Sequence, residues 1–222
     1  MRQAAGLPTL RVEKAVERRR GLGVAGVVER RQGADVDVGE GGVVVTAAGA
    51  LYTWGSSDHG QLGHGDLTQV TEPKLVDALA DAGVAVAFAS MGVSHTAAVT
   101  TDGRLYMWGS GESGKLGTGS EADALLPTLI DHLTDVKAVA LGASHTVILL
   151  ADGSVYACGS NRMGQLGIGA KDVVQETRPV RVSLPDGLVV RHLRVELVIV
   201  DIVELPALFG GRGRLGVVVG DK

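Results

Sequence analysis

The segment Leu105–Gly119, LYMWGSGESGKLGTG, is the strongest guide to the fold, because the chain contains two close copies of it. One copy, LYTWGSSDHGQLGHG, begins at Leu51, and the other, VYACGSNRMGQLGIG, begins at Val155. The copies follow one another at offsets of 54 and 50 residues. Self-similarity at such a period is typical of repeat architectures, so each copy belongs to a structural unit that the chain uses repeatedly.

The middle copy also comes close to the phosphate-binding loop G-x-x-x-x-G-K-[ST], because Gly114 is followed by Lys115. The next position of that motif carries a hydroxyl for Mg²⁺, whereas this chain has Leu116. Lys115 is replaced by Gln61 and Gln165 in the other copies, so the lysine is not part of the repeat. The frame that persists, to which we assign a structural role, consists of Gly55, Gly60, Leu62 and Gly63, then Gly109, Gly114, Leu116 and Gly117, then Gly159, Gly164, Leu166 and Gly167.

A second shared segment precedes two of the copies. It reads GVSHTAAVTTDGRLYMWG from Gly92 and GASHTVILLADGSVYACG from Gly142. In each, an Asp-Gly pair containing Gly103 or Gly153 separates two β-prone runs. This arrangement predicts a β-hairpin whose turn residues adopt positive φ angles.

Each unit continues with a proline close to an apolar run, at Pro73, Pro127 and Pro179. Proline lacks the N–H of the strand ladder and therefore suits the start of an edge strand. A run rich in Val and Ala follows, as in VAVAFASMG. About four short strands in about 50 residues predict an all-β blade of a β-propeller.

The combined pattern GxSHTxxxxxDGxxYxWGxxxxGQLGxG resembles the repeat of the regulator of chromosome condensation family, whose members form a seven-bladed β-propeller. The resemblance implies a partial β-propeller of about three four-stranded antiparallel blades within residues 43–185. The units are placed at about 43–91, 92–141 and 142–185. Kelch repeats have a similar period, but their Gly-Gly doublet is missing from the corresponding strand ends.

Several positions depart from this pattern. Gly41 stands where the first copy should carry the histidine, so only the second half of that copy is complete. Cys158 stands where the other copies have Trp54 and Trp108, which we interpret as blade anchors. The flanks, residues 1–42 and 186–222, do not match the unit. The sequence leaves open whether they are ordered, and it raises the hypothesis of a faulty gene model.

Composition narrows the class of protein. The 222 residues contain one cysteine, Cys158, which leaves no internal disulfide and fits an intracellular compartment, cytoplasmic or nuclear. We find neither a signal peptide nor a membrane span in the sequence. Residues 41–185 carry fourteen acidic and eight basic side chains, and this excess of negative charge does not favour binding to nucleic acid.

The candidate chemical sites all have simpler interpretations. His95 and His145 recur in the repeat, so we expect buried imidazoles that hydrogen-bond the backbone within each blade. Asp58, His59, His64 and Asp66 could bind a divalent ion, but the other copies offer no equivalent group, and surface polarity is the better interpretation. Cys158 lacks an identifiable base. Strings of the form G-x-G-x-x-G, from Gly21, Gly109 and Gly211, lack the strand and helix of a dinucleotide site.

We therefore predict no catalytic, cofactor or metal site and a non-enzymatic protein–protein interaction module. Loops that differ between copies are free to encode a partner. The resemblance implies an alternative, guanine-nucleotide exchange on a Ran-type small GTPase, which acts by stabilising the nucleotide-free state. A second alternative is a chromatin-associated protein that uses the basic residues Arg18 to Arg20, Arg30 and Arg31. The candidate partner-binding residues are Asp58, His59, Glu112, Ser113, Arg162 and Met163.

The number of units raises a question of completeness. About three units cannot close a seven-bladed ring, and an open stack exposes an apolar blade face and unpaired strand edges. Three interpretations stay open: a fragment of a longer protein, self-association through the open blade faces, or a partial propeller.

Overall fold

The structure, a computed structural model, describes residues 41–170, 172–185, 188, 190–194, 199–202 and 215–218. Within these residues the chain forms four antiparallel sheets and one short α-helix. Arg18 to Arg20, Arg30, Arg31 and the glycine string from Gly21 lie outside the described residues.

The first sheet contains β1 (Gly42–Val45), β2 (Leu51–Gly55) and β3 (Val70–Leu75), in that spatial order. The helix α1 (Asp77–Asp81) follows it. In the second sheet Thr96 pairs with Trp108, and in the first sheet Gly42 pairs with Trp54. This register puts Gly41 at the position of the missing histidine, as the sequence predicts.

The second and third sheets each have four strands in chain order. The second contains β4 (Val86–Met91), β5 (His95–Thr100), β6 (Leu105–Gly109) and β7 (Ala124–Leu129), and the third contains β8 (Val136–Leu141), β9 (His145–Leu150), β10 (Val155–Ser160) and β11 (Gln175–Arg181). These sheets confirm the prediction of four-stranded antiparallel blades. Each begins with the Val- and Ala-rich strand, a few residues before the Ser-His-Thr segment.

The fourth sheet contains β12 (Val190–Arg194), β13 (Ile199–Ile202) and β14 (Leu215–Val218). Its pairing register shifts directly after Val190, as the registers of β4 and β8 shift after Val86 and Val136. In addition, β12 packs against β8 and β9, as β8 packs against β4 and β5. β12 therefore occupies the position of a first strand in the next blade, although the sequence pattern predicts a tail outside the repeats from residue 186.

The hydrophobic core lies between neighbouring sheets. Trp108 of the second sheet packs with Leu51 of the first, and Met107 packs in a cluster with Val139 of the third. Val190 of β12 joins the cluster formed on the other side of the third sheet. Burying one such side chain contributes about 1.5–3 kcal/mol, so the stacking of successive sheets is the main source of stability.

Turns and edges follow the sequence with small differences. Pro73, Pro127 and Pro179 lie in the outer strands β3, β7 and β11, as predicted, but inside these strands instead of at their start. Both Asp-Gly hairpins form, but among the turn residues only Gly103 and Gly153 adopt positive φ angles, of 78° and 87°. A hydrogen bond of 3.0 Å from the Gly103 N–H to the Thr100 carbonyl closes the first of these turns.

Candidate functional site

The three glycine loops form one end of the stack. They join β2 to β3, β6 to β7 and β10 to β11, and the first two contact the start of the outer strand in the following sheet. We call this end the loop face; its described residues are 56–69, 110–123, 161–170 and 172–174. The opposite end carries the hairpin turns and α1, and we call it the turn face.

Close backbone approach explains the glycines of the loops. The Gly65 N–H donates to the Leu125 carbonyl at 3.0 Å, and the Gly119 N–H donates to the Thr177 carbonyl at 2.8 Å. A Cβ atom on Gly114 would lie 2.6 Å from the Cα atom of Thr177. These glycines therefore join neighbouring sheets, which supports a structural role for the frame.

Buried threonines of the Ser-His-Thr segments form a second link between sheets. Thr96 Oγ1 donates to the Gln61 carbonyl, and Thr146 Oγ1 donates to the Lys115 carbonyl, each at 2.7 Å. The Trp108 indole N–H also donates to the Gln61 carbonyl, at 2.9 Å. The carbonyl of the first loop thus receives two strong hydrogen bonds from the second sheet.

Cys158 takes the place of this tryptophan at the next junction. Its thiol, a weak donor, lies 3.5 Å from the Lys115 carbonyl. Pro179 and Cys158 both approach within 3.2 Å of a Cβ atom built on Gly117, so the proline fills part of the space that an indole would occupy. Burial raises the pKa of the Cys158 thiol to about 12, which keeps it protonated and unreactive at neutral pH.

His95 is fully buried, but its observed partner differs from the prediction. Its Nε2 atom lies 3.1 Å from Thr146 Oγ1 in the next sheet, instead of bonding backbone within its own blade. Because the Thr146 hydroxyl donates to a carbonyl, it accepts the proton of His95 Nε2–H. Burial, with repulsion from Lys115 and His145, lowers the pKa of His95 to about 3. The imidazole is neutral and donates a hydrogen bond from Nε2 to the next sheet; His145 is buried as well.

Lys115 gives the second loop a different backbone. In the other loops the Gln61 and Gln165 side chains accept a hydrogen bond of 2.9 Å from the N–H two residues earlier. An ammonium group cannot accept that bond, and Ser113, the equivalent residue of the second loop, adopts a φ of 60°. Burial lowers the pKa of Lys115, whose ammonium lies 3.9 Å from Glu112.

The candidate partner-binding residues occupy equivalent positions on the loop face. Asp58, His59, Glu112, Arg162 and Met163 are exposed, while Ser113 is half-buried. Met163 is 72% exposed, which is high for an apolar side chain. The structure thus brings these six residues to one surface.

The polar residues of the first loop do not converge on an ion. His59 Nδ1 lies 3.6 Å from Asp123 of the second loop, whereas His64 Nε2 lies 3.1 Å from Thr53 Oγ1. Within the described residues, no group of three or more His, Cys, Asp or Glu side chains could hold a metal. Nor does the described part of the chain contain a helix with the length and apolarity needed to cross a membrane.

Comparison with known proteins agrees with this geometry. The model of the regulator of chromosome condensation (RCC1) repeat matches residues 48–99, 102–149 and 152–196, which is more than half of the chain. The chain belongs to the regulator of chromosome condensation repeat family. The third match extends past residue 185, into β12.

Individual relatives share the repeats over part of their length. The human E3 ubiquitin-protein ligase HERC2 is 39% identical over 99 residues, which cover 44% of this chain and 2% of HERC2. The ultraviolet-B receptor UVR8 of Arabidopsis thaliana is 40% identical over 97 residues, or 44% of this chain and 22% of the receptor. The structure of Prp20p from Saccharomyces cerevisiae superposes with a TM-score of 0.60 at 24% identity, covering 68% of this chain and 38% of Prp20p. The chain therefore spans less than half the length of each of these proteins. Its repeats, like those of these relatives, form a propeller interaction module.

Proposed function

We propose that the loop face of this module is its docking surface for a protein partner. The observation that carries the proposal is the contrast between two sets of residues in the same loops. The repeated glycines and leucines are largely buried between sheets, whereas five of the six candidate partner-binding residues, which differ from loop to loop, project into solvent. Binding residues on loops above a rigid scaffold are typical of interaction proteins.

The charge of the loop face favours a partner with a basic surface. Among the described residues of the loop face, six carboxylates are exposed. Arg162 is the one exposed Lys or Arg side chain of the same residues, because Lys115 is buried. Opposite charges across an interface accelerate association and disfavour partners of the wrong sign. Met163 adds an apolar contact of a kind that is enriched in protein interfaces. The carboxylates belong to Asp58, Asp66, Glu112, Glu121, Asp123 and Asp172.

Affinity capture with matched variants tests this proposal. We would replace Asp58→Asn and Glu112→Gln on the loop face, and Asp81→Asn and Asp131→Asn on the turn face as a control with the same loss of charge. We expect the amount of bound protein that elutes with rising salt to be several-fold lower for the loop-face variant and unchanged for the turn-face control. Equal recovery from both variants would exclude the loop face as the docking surface.

Nucleotide exchange and chromatin association are weaker candidates, and both stay predictions. Prp20p was studied for its binding to Gsp1p and histones, but at 24% identity the likeness supports the fold alone. Release of a fluorescent guanine nucleotide from a Ran-type GTPase, with and without this chain, tests exchange directly. A faster release would favour exchange over simple docking. Binding to duplex DNA at low salt would favour the chromatin alternative, which the acidic loop face opposes.

A further inference from the structure

Arg178 of β11 places a guanidinium beside the loop face without an anionic partner. A Cβ atom built on Gly119 would lie 3.0 Å from Arg178 Nε and 3.1 Å from Arg178 Nη2, so the guanidinium lies directly against the second loop. The side chain is exposed, and among the described residues it makes neither an ion pair nor a hydrogen bond. This cation can therefore bind an anion that reaches the end of the loop.

The arrangement is specific to the junction between the second and third sheets. At the preceding junction Leu126 takes the place of Arg178, since its Cδ2 atom would lie 3.3 Å from a Cβ atom on Gly65. The residue after the loop glycine differs as well, because it is Asp66 in the first loop and Ser120 in the second. The first junction thus has a carboxylate and no cation, whereas the second has a cation and a hydroxyl. Packing of the repeat frame does not require this second combination.

Ser120 is accessible to a modifying enzyme. Residues 119–123 are all exposed and lie outside any helix or strand, directly before β7. The Ser120 hydroxyl lies 3.4 Å from Thr118 Oγ1, which is longer than the usual hydrogen bond between hydroxyl groups. The Ser120 oxygen is therefore available as an acceptor of a chemical group.

The residues after Ser120 carry the charge pattern of a substrate for an acid-directed protein kinase. Glu121 and Asp123 stand one and three positions after the serine, and both are exposed. Protein kinases select their substrates in part by the charges next to the acceptor residue. A kinase with a basic substrate groove would bind this segment, whereas a kinase that requires basic residues beside the serine would not.

We propose that Ser120 is a phosphorylation site for a kinase of this acid-directed class and that Arg178 binds the resulting phosphate. Ser120 Oγ attacks the γ-phosphorus of ATP, and the bond from that phosphorus to the β,γ-bridging oxygen breaks. ADP leaves, and the hydroxyl proton passes to the base of the kinase. This chain is only the acceptor of the phosphoryl group. The inference goes beyond the proposed function and does not depend on it.

The position of Arg178 allows an ion pair with the new phosphate. Consecutive Cα atoms lie about 3.8 Å apart, and Ser120 directly follows the residue that the guanidinium contacts. A phosphoserine carries about −1.5 to −2 charges at pH 7, and hydrogen bonds between guanidinium and phosphate are strong and frequently bidentate. Because Arg178 belongs to the third sheet, this ion pair would add a link between the second and third sheets.

Incubation of the full chain with ATP and casein kinase II, an acid-directed kinase, tests the site. We expect mass spectrometry to find phosphate on Ser120 and Ser120→Ala to lose it. Glu121→Gln combined with Asp123→Asn should slow this phosphorylation several-fold, because the charges that the kinase reads are gone. The turn-face control, Asp81→Asn with Asp131→Asn, removes the same charge and should leave the rate unchanged.

Melting temperatures of the phosphorylated and unphosphorylated chains test the role of Arg178. We expect the shift on phosphorylation to be more positive by about 3 °C in the unsubstituted chain than in Arg178→Gln. Arg162→Gln removes an exposed arginine from the third loop and serves as the matched control. This control should keep the shift of the unsubstituted chain.

Two results would overturn the proposal. Absence of phosphate from Ser120 in the folded chain would exclude the site, and a synthetic peptide of residues 114–128 would then distinguish a closed loop from a sequence that the kinase does not bind. Equal shifts of the melting temperature in Arg178→Gln and in the unsubstituted chain would mean that the guanidinium does not bind the phosphate. Phosphate on Ser120, with a shift that Arg178→Gln loses and Arg162→Gln keeps, supports the proposal.

Discussion

Replacing the same residue type at two equivalent junctions should have unequal effects. Thr96 and Thr146 are both fully buried, and each donates to a loop carbonyl at 2.7 Å. Thr146→Val removes the strong donor to the Lys115 carbonyl and also the acceptor of His95 Nε2–H. Thr96→Val removes one donor, but the Gln61 carbonyl keeps the Trp108 indole.

The magnitude follows from the groups that lose their partners. A buried polar group without a hydrogen bond costs about 1–3 kcal/mol. Thr146→Val leaves His95 Nε2–H without its acceptor and leaves the Lys115 carbonyl with only the weak Cys158 thiol, so we expect a loss of about 3 kcal/mol. Thr96→Val leaves no such group and should cost about 1 kcal/mol. Valine keeps the shape of threonine, so neither variant creates a cavity.

Urea denaturation followed by circular dichroism measures the difference. With a slope of about 2 kcal/mol per molar urea, the two midpoints should differ by about 1 M. Equal losses of stability for the two variants would contradict this expectation, because they would mean that the hydrogen bond from His95 Nε2–H to Thr146 Oγ1 adds nothing to the stability.

Three further predictions concern the second glycine loop and the buried histidine His95. Lys115→Gln should raise the free energy of unfolding by about 1–2 kcal/mol at pH 7, since it removes a buried charge and restores a loop hydrogen bond. This gain in stability should shrink as the pH rises towards 10.5, where the lysine of the unfolded chain also loses its proton. A variant that is less stable than the parent would contradict this prediction. Gly114→Ala should lower the melting temperature far more than Gly83→Ala, because both glycines have positive φ angles but only Gly114 faces the backbone of the next sheet. Equal shifts of the melting temperature in calorimetry would contradict a role for the close contact between Gly114 and Thr177. Because the pKa of His95 is lowered to about 3, the contribution of His95 to stability is complete above pH 6.5 and should fall by about 1.4 kcal/mol per pH unit below that. A His95→Gln variant that loses stability in acid to the same extent would show that His95 is not the cause of this loss.

The sequence predicted the blades because their determinants are local. Glycines at fixed spacing, Asp-Gly turns and edge prolines each impose a backbone geometry on their neighbours. The assignment of Gly41 to the histidine position needed only the repeat frame, and the register of β1 confirms it.

Features that depend on contacts between sheets could not be read from the sequence. The partner of His95 is a threonine 51 positions away, and local patterns carry no information about such a pair. The fourth sheet lacks the Ser-His-Thr and glycine-loop segments, but it has the stacking position of a blade, which is set by packing of Val190 against the third sheet. The helix α1 was also missed, because five residues are too few to give a helical period.

Site-specific photocrosslinking shows whether a protein partner docks on the loop face. A photoreactive phenylalanine derivative at His59 or Glu112 would be compared in cells with the same group at Asp81 or Asp131 on the turn face. We expect a discrete crosslinked protein from the loop-face positions and none from the turn face. The same crosslinked protein from the turn-face positions alone would contradict it.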